Sequence, residues 1–327
     1  GGRMAVLKPE AFHGDAKKGP YFEGWYFKNI APGGEKRWSV IPGVYIGKHP
    51  QDSHSFIQFM NGATGESWYL DFPYEDFQAD NERFDVRVGQ NEFSGSHLLL
   101  NIDRQDFSAS GRLDFQDTNP WPVTVFSPGI MGWFAWLPGM ECYHGVVSLD
   151  HPITGELTIN GETIDFSGGR GYMEKDWGQA MPKVWIWSQT NHFKQPGVSL
   201  TLSVAEIPFG PLTFNGFIVG LLLNGELHKF ATYTGARIEK LALDDGQVEI
   251  VFADRRKRLE ISARRGRASS LQAPTVSQMD RRIMETLSAE IHVTFSIKQS
   301  GRWQVVFEDT GKYAGLEIVG ELDPDKF

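Results

Sequence analysis

The chain has 327 residues, of which 40% are apolar and 13% aromatic, so it can bury a substantial core and intrinsic disorder is not expected. A formal net charge of −9 disfavours a general affinity for nucleic acid, and a single cysteine, Cys142, excludes an internal disulfide and a thiolate zinc cage. No apolar run is long enough to span a bilayer and no leader is recognisable, so the sequence predicts a cytoplasmic protein.

Alternation of apolar and polar residues with a period of two recurs along the chain and predicts an all-β fold. Asn-Gly pairs at 160–161 and 224–225 predict tight hairpin turns, because a type I′ turn needs positive φ at both central residues. Further strands are predicted in short segments bounded by turn residues: SHSFIQFM, FDVRVG, HLLLNI, SLTLSVAEI, QVEIVFA, RLEISA, AEIHVTFSI and WQVVFED. The segment SQMDRRIMETL at 277–287 predicts one short helix.

The strands are too many for one simple sandwich, so we expect two β domains, residues 1–180 and 181–327, with the boundary placed to within tens of residues. Residues 118–140 read TNPWPVTVFSPGIMGWFAWLPGM and combine prolines and glycines with large apolar rings. This composition predicts an apolar connection that covers another surface or is itself covered.

The octapeptide YFEGWYFK at 21–28 places a carboxylate among aromatic rings. In an extended strand, Glu23 shares one face with Tyr21, Trp25 and Phe27, because side chains alternate between the faces. An apolar surround would keep the carboxyl of Glu23 protonated. The alternative is an ion pair with Lys28 or with an arginine across the sheet.

A second aromatic stretch, VWIWSQTNHF at 184–193, places two indoles and two amides on one face: Trp185, Trp187, Gln189 and Asn191. An apolar surface with a few polar groups is typical of a ligand pocket. The alternative is a barrel interior whose amides are hydrogen-bonded.

The segment GGRGYMEKDWG at 168–178 places Glu174 and Asp176 on one face of a strand, with Lys175 and Trp177 on the other. Neighbouring carboxylates oppose each other's ionisation, so one of them is a candidate general acid. The alternative is a solvated turn with ordinary ion pairs.

Histidines offer further candidates. His54 in QDSHSF and His144 in MECYHG are a potential base or hydrogen-bond donor, or are structural. The nine histidines form no closely spaced ligand pair, so no metal site is predicted.

Basic residues are concentrated at 254–267: Arg255, Arg256, Lys257, Arg258, Arg264, Arg265 and Arg267. A positive face built from them would attract anionic lipid headgroups and allow peripheral membrane contact. The alternative is a solvated surface.

Together, YFEGWYFK, EKDWG at 174–178, MPKVWIWSQTNHF at 181–193, LQAPT at 271–275 and YAGLEIVG at 313–320 resemble the tocopherol cyclase family, enzymes that close the chromanol ring of vitamin E. The resemblance implies two lipocalin-like antiparallel β-barrel or sandwich domains, with a pocket between or within them, related to carotenoid hydratase. Asp176 and Met181 depart from the Asn and Phe usual in the plant enzymes, and the chain is shorter than theirs.

The resemblance also implies an enzyme of the isomerase or intramolecular lyase class that needs no cofactor and binds a hydrophobic, prenylated molecule. An acid would protonate an alkene, and a phenolic oxygen would capture the resulting carbocation. The candidate acids are Glu23, Glu174 and Asp176. The candidate ligand-binding residues are Trp25, Tyr26, Lys175, Trp177, Trp185, Trp187, Gln189, Asn191, His54 and His144. The alternatives are a hydratase of an isoprenoid alkene and a non-catalytic carrier or sensor of a hydrophobic molecule.

Overall fold

The computed structural model describes residues 10–12, 14, 19–122, 142–178, 184–209, 211–244, 247–265, 268–273 and 281–320. Within these ranges the chain forms antiparallel β-strands and short 3-10 helices at Pro50–Asp52, Tyr74–Asp76 and Thr232–Thr234, with no α-helix. The prediction of an all-β, lipocalin-like antiparallel fold is confirmed. The predicted helix at 277–287 is wrong where the structure describes it, because residues 281–287 belong to a strand.

The chain divides into two compact units. One comprises Gly1–Met181 with Leu271–Arg282, and the other comprises Pro182–Ser270 with Ile283–Phe327. The segment Leu271–Arg282 therefore groups with the first unit, although a single division at residue 180 would assign it to the second.

One sheet is built from the strands before residue 180. They are β1 (Tyr21–Ile30), β2 (Arg37–Ile46), β3 (His54–Asn61), β4 (Ser67–Pro73), β5 (Phe77–Ala79), β6 (Asp85–Val88), β7 (Asn91–Ser94), β8 (His97–Asp103), β9 (Ser108–Phe115), β10 (Cys142–Ile159), β11 (Glu162–Asp165) and β12 (Arg170–Gly178). Their order is β4-β3-β2-β1-β12-β10-β9-β8-β7-β6-β5, with β11 paired to β10. Strand β1 thus lies in the middle of the sheet, beside β12, the last strand of this sheet in chain order.

The other sheet contains the remaining strands. They are β13 (Trp185–Thr190), β14 (Ser199–Phe209), β15 (Leu212–Leu223), β16 (Glu226–Ala231), β17 (Arg237–Asp244), β18 (Gln247–Ala253), β19 (Lys257–Arg264), β20 (Ala268–Ala273), β21 (Arg281–Gln299) and β22 (Arg302–Val319). Their order is β16-β15-β14-β13-β22-β21-β19-β18-β17, with β20 paired to β21.

The two predicted Asn-Gly hairpin turns are confirmed. Asn160 and Gly161 have φ of 48° and 81° between β10 and β11, and Asn224 and Gly225 have φ of 53° and 77° between β15 and β16. The left-handed conformation of both central residues is what a two-residue turn requires to match the twist of its strands.

The middle strands of the first sheet are buried on both faces. One face packs into an apolar core that contains Trp25, Phe27, Met173 and Trp177. The opposite face is also buried, yet it carries polar groups, among them Glu174. Because water is largely excluded from both faces, the polar groups on the second face need partners within the protein.

Within the described ranges, no helix has the length and the apolar character that a membrane crossing requires. Of the predicted apolar connection at 118–140, Trp121 is described and is buried. Residues 123–141 lie outside the described part, and with them Trp133, Phe134 and Trp136.

Candidate functional site

The site lies where β12 runs between β1 and β10. Across one interface Glu174 is the register partner of Tyr26, and across the other Asp176 is the partner of His144. Glu174 and Asp176 are two residues apart in an extended strand, so both project from the same face. The sheet therefore brings Tyr26 and His144 next to β12, although both are far from it in the sequence.

Three ionisable side chains are in contact here. His144 Nδ1 lies 2.8 Å from Asp176 Oδ1 and 3.4 Å from Glu174 Oε2, while Tyr172 donates a hydrogen bond of 2.7 Å to Glu174 Oε1. The side chain of Glu174 is 7% exposed, that of His144 15% and that of Asp176 24%. We call these four residues, Tyr172, His144, Glu174 and Asp176, the acid cluster.

The acid cluster retains protons at neutral pH. Burial raises the pKa of Glu174 to about 8, and the charge of Asp176 acts in the same direction, whereas His144 and the hydrogen bond from Tyr172 oppose the shift. Burial by itself lowers the pKa of His144, but the charges of Glu174 and Asp176 outweigh it and raise that pKa to about 9. The two titrations are coupled, because protonation of Glu174 removes its charge from beside His144. Asp176, whose Oδ1 lies 2.8 Å from His144 Nδ1, is then the carboxylate that stabilises the imidazolium.

Glu23 lies on the opposite face of the sheet, in the apolar core. Glu23 Oε2 pairs with Lys175 Nζ at 2.9 Å, and both side chains are fully buried. Tyr21 donates a hydrogen bond to Glu23 Oε1, and Lys175 donates one to the carbonyl of Ala11. Glu23 thus forms an ion pair, as the alternative prediction held, but its partner is Lys175 rather than Lys28.

Indole rings surround this buried ion pair. The ammonium of Lys175 lies 4.9 Å from the ring of Trp25 and 4.8 Å from that of Trp177, which are cation–π distances. Burial lowers the pKa of Lys175 to about 8, while the carboxylate of Glu23 opposes the shift. The structure therefore places Glu23, Trp25, Lys175 and Trp177 away from the acid cluster, across the thickness of the sheet.

Tyr26 lies on the same face as the acid cluster. Its hydroxyl accepts a hydrogen bond of 3.0 Å from Ser39, and its ring meets that of Tyr172 edge-on at 6.4 Å. Tyr172 was not among the candidates predicted from the sequence. The signal was present, because Tyr172 precedes Glu174 by two residues and so shares its face in a strand.

His54 lies on the same face but at a distance. It is on β3, three strands from β12, or about 14 Å at the usual strand spacing. His54 Nε2 and the hydroxyl of Tyr69 are 2.6 Å apart, and Asp71 lies 3.8 Å from the same nitrogen. His54 therefore belongs to a separate group near the β4 edge of the sheet.

The second unit holds the remaining aromatic candidates. On β13, Trp185, Trp187 and Gln189 are buried and share one face, while Ile186 points into the core of that unit. Trp185 Nε1 donates a hydrogen bond of 3.0 Å to Glu317. Asn191 follows the end of the strand at Thr190, and its Oδ1 lies 2.8 Å from the ring of His192.

Some residues of the basic run are exposed to solvent, and others contact neighbouring side chains. Arg255, Arg256 and Arg264 are exposed, whereas Arg258 lies 3.6 Å from Glu239 and Lys257 lies over the ring of Phe230. Arg265 is partly exposed, and Arg267 lies outside the described residues. Peripheral membrane contact through this run stays a prediction.

Three side chains of the acid cluster lie close enough together to hold a metal ion. His144, Glu174 and Asp176 each offer one ligand atom, all within 4.8 Å of one another. A metal would have to displace the proton from Glu174, because a ligating carboxylate must be ionised. The group can therefore act as a proton donor or as a cation site, but not as both at once.

Comparison with known proteins identifies relatives that match most of the chain. Over 94% of this chain and 77% of the relative, it is 24% identical to a probable tocopherol cyclase, chloroplastic, of Oryza sativa subsp. japonica, and 23% identical to tocopherol cyclase, chloroplastic, of Zea mays. The fold is similar to that in the crystal structure of CghA with Sch210972, with a TM-score of 0.55 and 14% identity over 92% of this chain and 89% of that chain. The profile of the tocopherol cyclase-like family matches residues 120–320, more than half of the sequence, and the chain belongs to that family.

Proposed function

We propose that this protein is an acid-dependent cyclase of a prenylated phenol or quinol, with Glu174 as the proton donor. The observation that carries the proposal is a buried carboxyl whose pKa of about 8 keeps it protonated at neutral pH, next to a second carboxylate and an imidazolium. Membership in a family whose curated relatives are named tocopherol cyclase supports the reaction class.

The reaction is an isomerisation that consumes nothing else. The proton of Glu174 forms a C–H bond with the less substituted alkene carbon as the π bond breaks, which leaves a tertiary carbocation on the other carbon. A lone pair of the phenolic oxygen then forms the C–O bond that closes the ring. The phenolic proton returns to the carboxylate of Glu174, so the acid is restored and no redox partner is needed.

The neighbours of Glu174 adjust its acidity in both directions. The imidazolium of His144 and the hydrogen bond from Tyr172 stabilise the carboxylate that forms after proton transfer, whereas burial and Asp176 favour the protonated form before it. The balance matches the pKa of the donor to neutral pH, where an acid is both protonated and able to release its proton. In this proposal Tyr26, the register partner of Glu174, orients the phenolic oxygen.

The decisive experiment follows the proton. The chain is incubated with a geranylgeranyl hydroquinone in D₂O, and the product is analysed by mass spectrometry. We expect a chromanol with one deuterium at a non-exchangeable carbon, because Glu174 exchanges its proton with solvent. Glu174→Gln should form no product, whereas Glu66→Gln, an exposed carboxylate between β3 and β4, should react like the unaltered chain.

Other outcomes identify the alternatives. A product that has gained D₂O across the alkene would identify a hydratase. Saturable binding of the hydroquinone with no product from the unaltered chain would identify a carrier and would overturn the cyclase proposal. Chromanol formation by Glu174→Gln would remove Glu174 from the role of donor.

A further inference from the structure

The buried face that carries the acid cluster has one partly exposed band. Among the residues whose burial is described on β2, β1, β12 and the part of β10 up to Val146, those that point to this face are buried except for Ile41, Gly24, Asp176 and His144, and for Arg170 at the end of β12. The first four lie on four neighbouring strands, and Gly24 is the register partner of Asp176. These four residues form a partly exposed band that includes Gly24 and borders the acid cluster.

The position of Gly24 has room for a Cβ. A Cβ at this position would meet nothing nearer than the carbonyl oxygen of Pro42 at 3.8 Å, with Ile41 at 3.9 Å and the ring of Phe56 at 4.0 Å. These are ordinary van der Waals distances, and Gly24 lies within the extended strand β1 without positive φ. Neither the backbone nor the packing therefore requires a glycine, although glycine weakens a strand interior.

Gly43, the register partner of Gly24 on β2, provides the contrast. A Cβ there would lie 2.4 Å from the carbonyl oxygen of Glu23 and 2.5 Å from the ring of Phe56. Gly43 is thus required by close packing against a backbone oxygen that cannot move away. Two adjacent glycines on one face therefore differ, because a Cβ fits in ordinary van der Waals contact at Gly24 but collides with its neighbours at Gly43.

We infer that this band is the mouth of a hollow above Gly24 that receives the branched, alkene-bearing part of the substrate, and that the missing side chain of Gly24 sets the size of the group that can enter. The inference rests on the proposed function, because the hollow borders the acid cluster through Asp176 and His144. Ile41 and Phe56 give it an apolar wall on the β2 and β3 side, and the acid cluster gives it a polar wall on the other side. An isoprenoid unit matches these two walls, because its apolar branch can pack against Ile41 and Phe56 while its alkene faces the acid cluster.

The test compares Gly24→Ala and Gly24→Val with Gly43→Ala. Dissociation constants are measured by quenching of tryptophan fluorescence with hydroquinones that carry a dimethylallyl or a geranylgeranyl chain, and turnover is measured on the same probes. We expect Gly24→Val to weaken the binding of both probes at least tenfold and Gly24→Ala to weaken it less. Both Gly24 variants should melt at or above the temperature of the unaltered chain, whereas Gly43→Ala should melt at a lower temperature.

Each outcome decides between the two proposals. Unchanged binding and turnover in a folded Gly24→Val would overturn the hollow and leave the cyclase standing. Weakened binding in that variant, with no turnover by the unaltered chain, would support the hollow and overturn the cyclase. Failure of the unaltered chain to bind either hydroquinone would overturn both.

Discussion

Replacing Glu174 by glutamine should make the protein more stable at neutral pH, and the gain should depend on pH in a defined way. The carboxyl has a pKa of 4.5 in the unfolded chain and about 8 in the folded one. At pH 7 the carboxyl must gain a proton on folding, and pH 7 lies about 2.5 units above its pKa in the unfolded chain. At about 1.4 kcal/mol per unit, this protonation costs on the order of 3 kcal/mol. Glutamine has nearly the same shape and takes up no proton.

The sign follows from the direction of the shift. The cost of protonating Glu174 is small below pH 5, grows as the pH rises from the unfolded pKa, and is complete above a pH of about 8. In urea unfolding, Glu174→Gln should exceed the unaltered chain in unfolding free energy by less than about 1 kcal/mol at pH 5. At pH 7.5 the excess should be several times larger. A difference that does not change with pH would refute the conclusion that Glu174 is protonated in the folded chain.

A matched control is available on the other face of the same sheet. Glu23→Gln makes the same chemical change at a buried carboxylate, but it removes the partner of Lys175. An uncompensated buried charge is destabilising, so this variant should be less stable than the unaltered chain at both pH values. If Glu174→Gln raises the unfolding free energy and Glu23→Gln lowers it, Glu174 behaves as a protonated acid and Glu23 as an ion-paired carboxylate.

If Glu174 donates its proton, turnover should be constant below a pH of about 8 and fall about tenfold per unit above it, which a pH–rate profile would show. Dialysis against a chelator should leave turnover unchanged, because a protonated Glu174 is not a metal ligand; loss of activity that added metal restores would contradict this. Lys175→Met should lower the unfolding free energy by about 3–5 kcal/mol, with recovery in the double variant that also carries Glu23→Gln. Arg255 and Arg256 lie in the turn between β18 and β19, and neutralising them should weaken salt-sensitive binding to anionic vesicles about tenfold or more. If the protein sediments with the vesicles to the same extent after the substitutions, peripheral membrane contact through this turn is refuted.

Local patterns in the sequence predicted much of what the structure shows. The Asn-Gly turns were correct because positive φ at two successive residues is a requirement that the sequence states directly. The separation of Glu174 from Lys175 onto opposite faces was also correct, because alternation in a strand needs no knowledge of its neighbours.

Long-range pairing was the part that the sequence could not supply. Glu23 and Lys175 are far apart along the chain, and no local signal shows that β1 lies beside β12. The same pairing separates Glu23 from the acid cluster and leaves Gly24 beside Asp176. The predicted helix at 277–287 failed for a related reason, because residues 281–287 are part of a long strand that pairs with β22.

The ion pair between Glu23 and Lys175 has a further consequence for the placement of the acid cluster. A slip of one residue between β1 and β12 would turn every side chain of β12 to the other face and exchange Lys175 and Trp177 for Glu174 and Asp176. Such a slip would leave Glu23 without a counterion in an apolar interior, which is a strong penalty. The pair lies on the face opposite to the acid cluster, yet it favours the single register of β12 that places Glu174 and Asp176 on their own face.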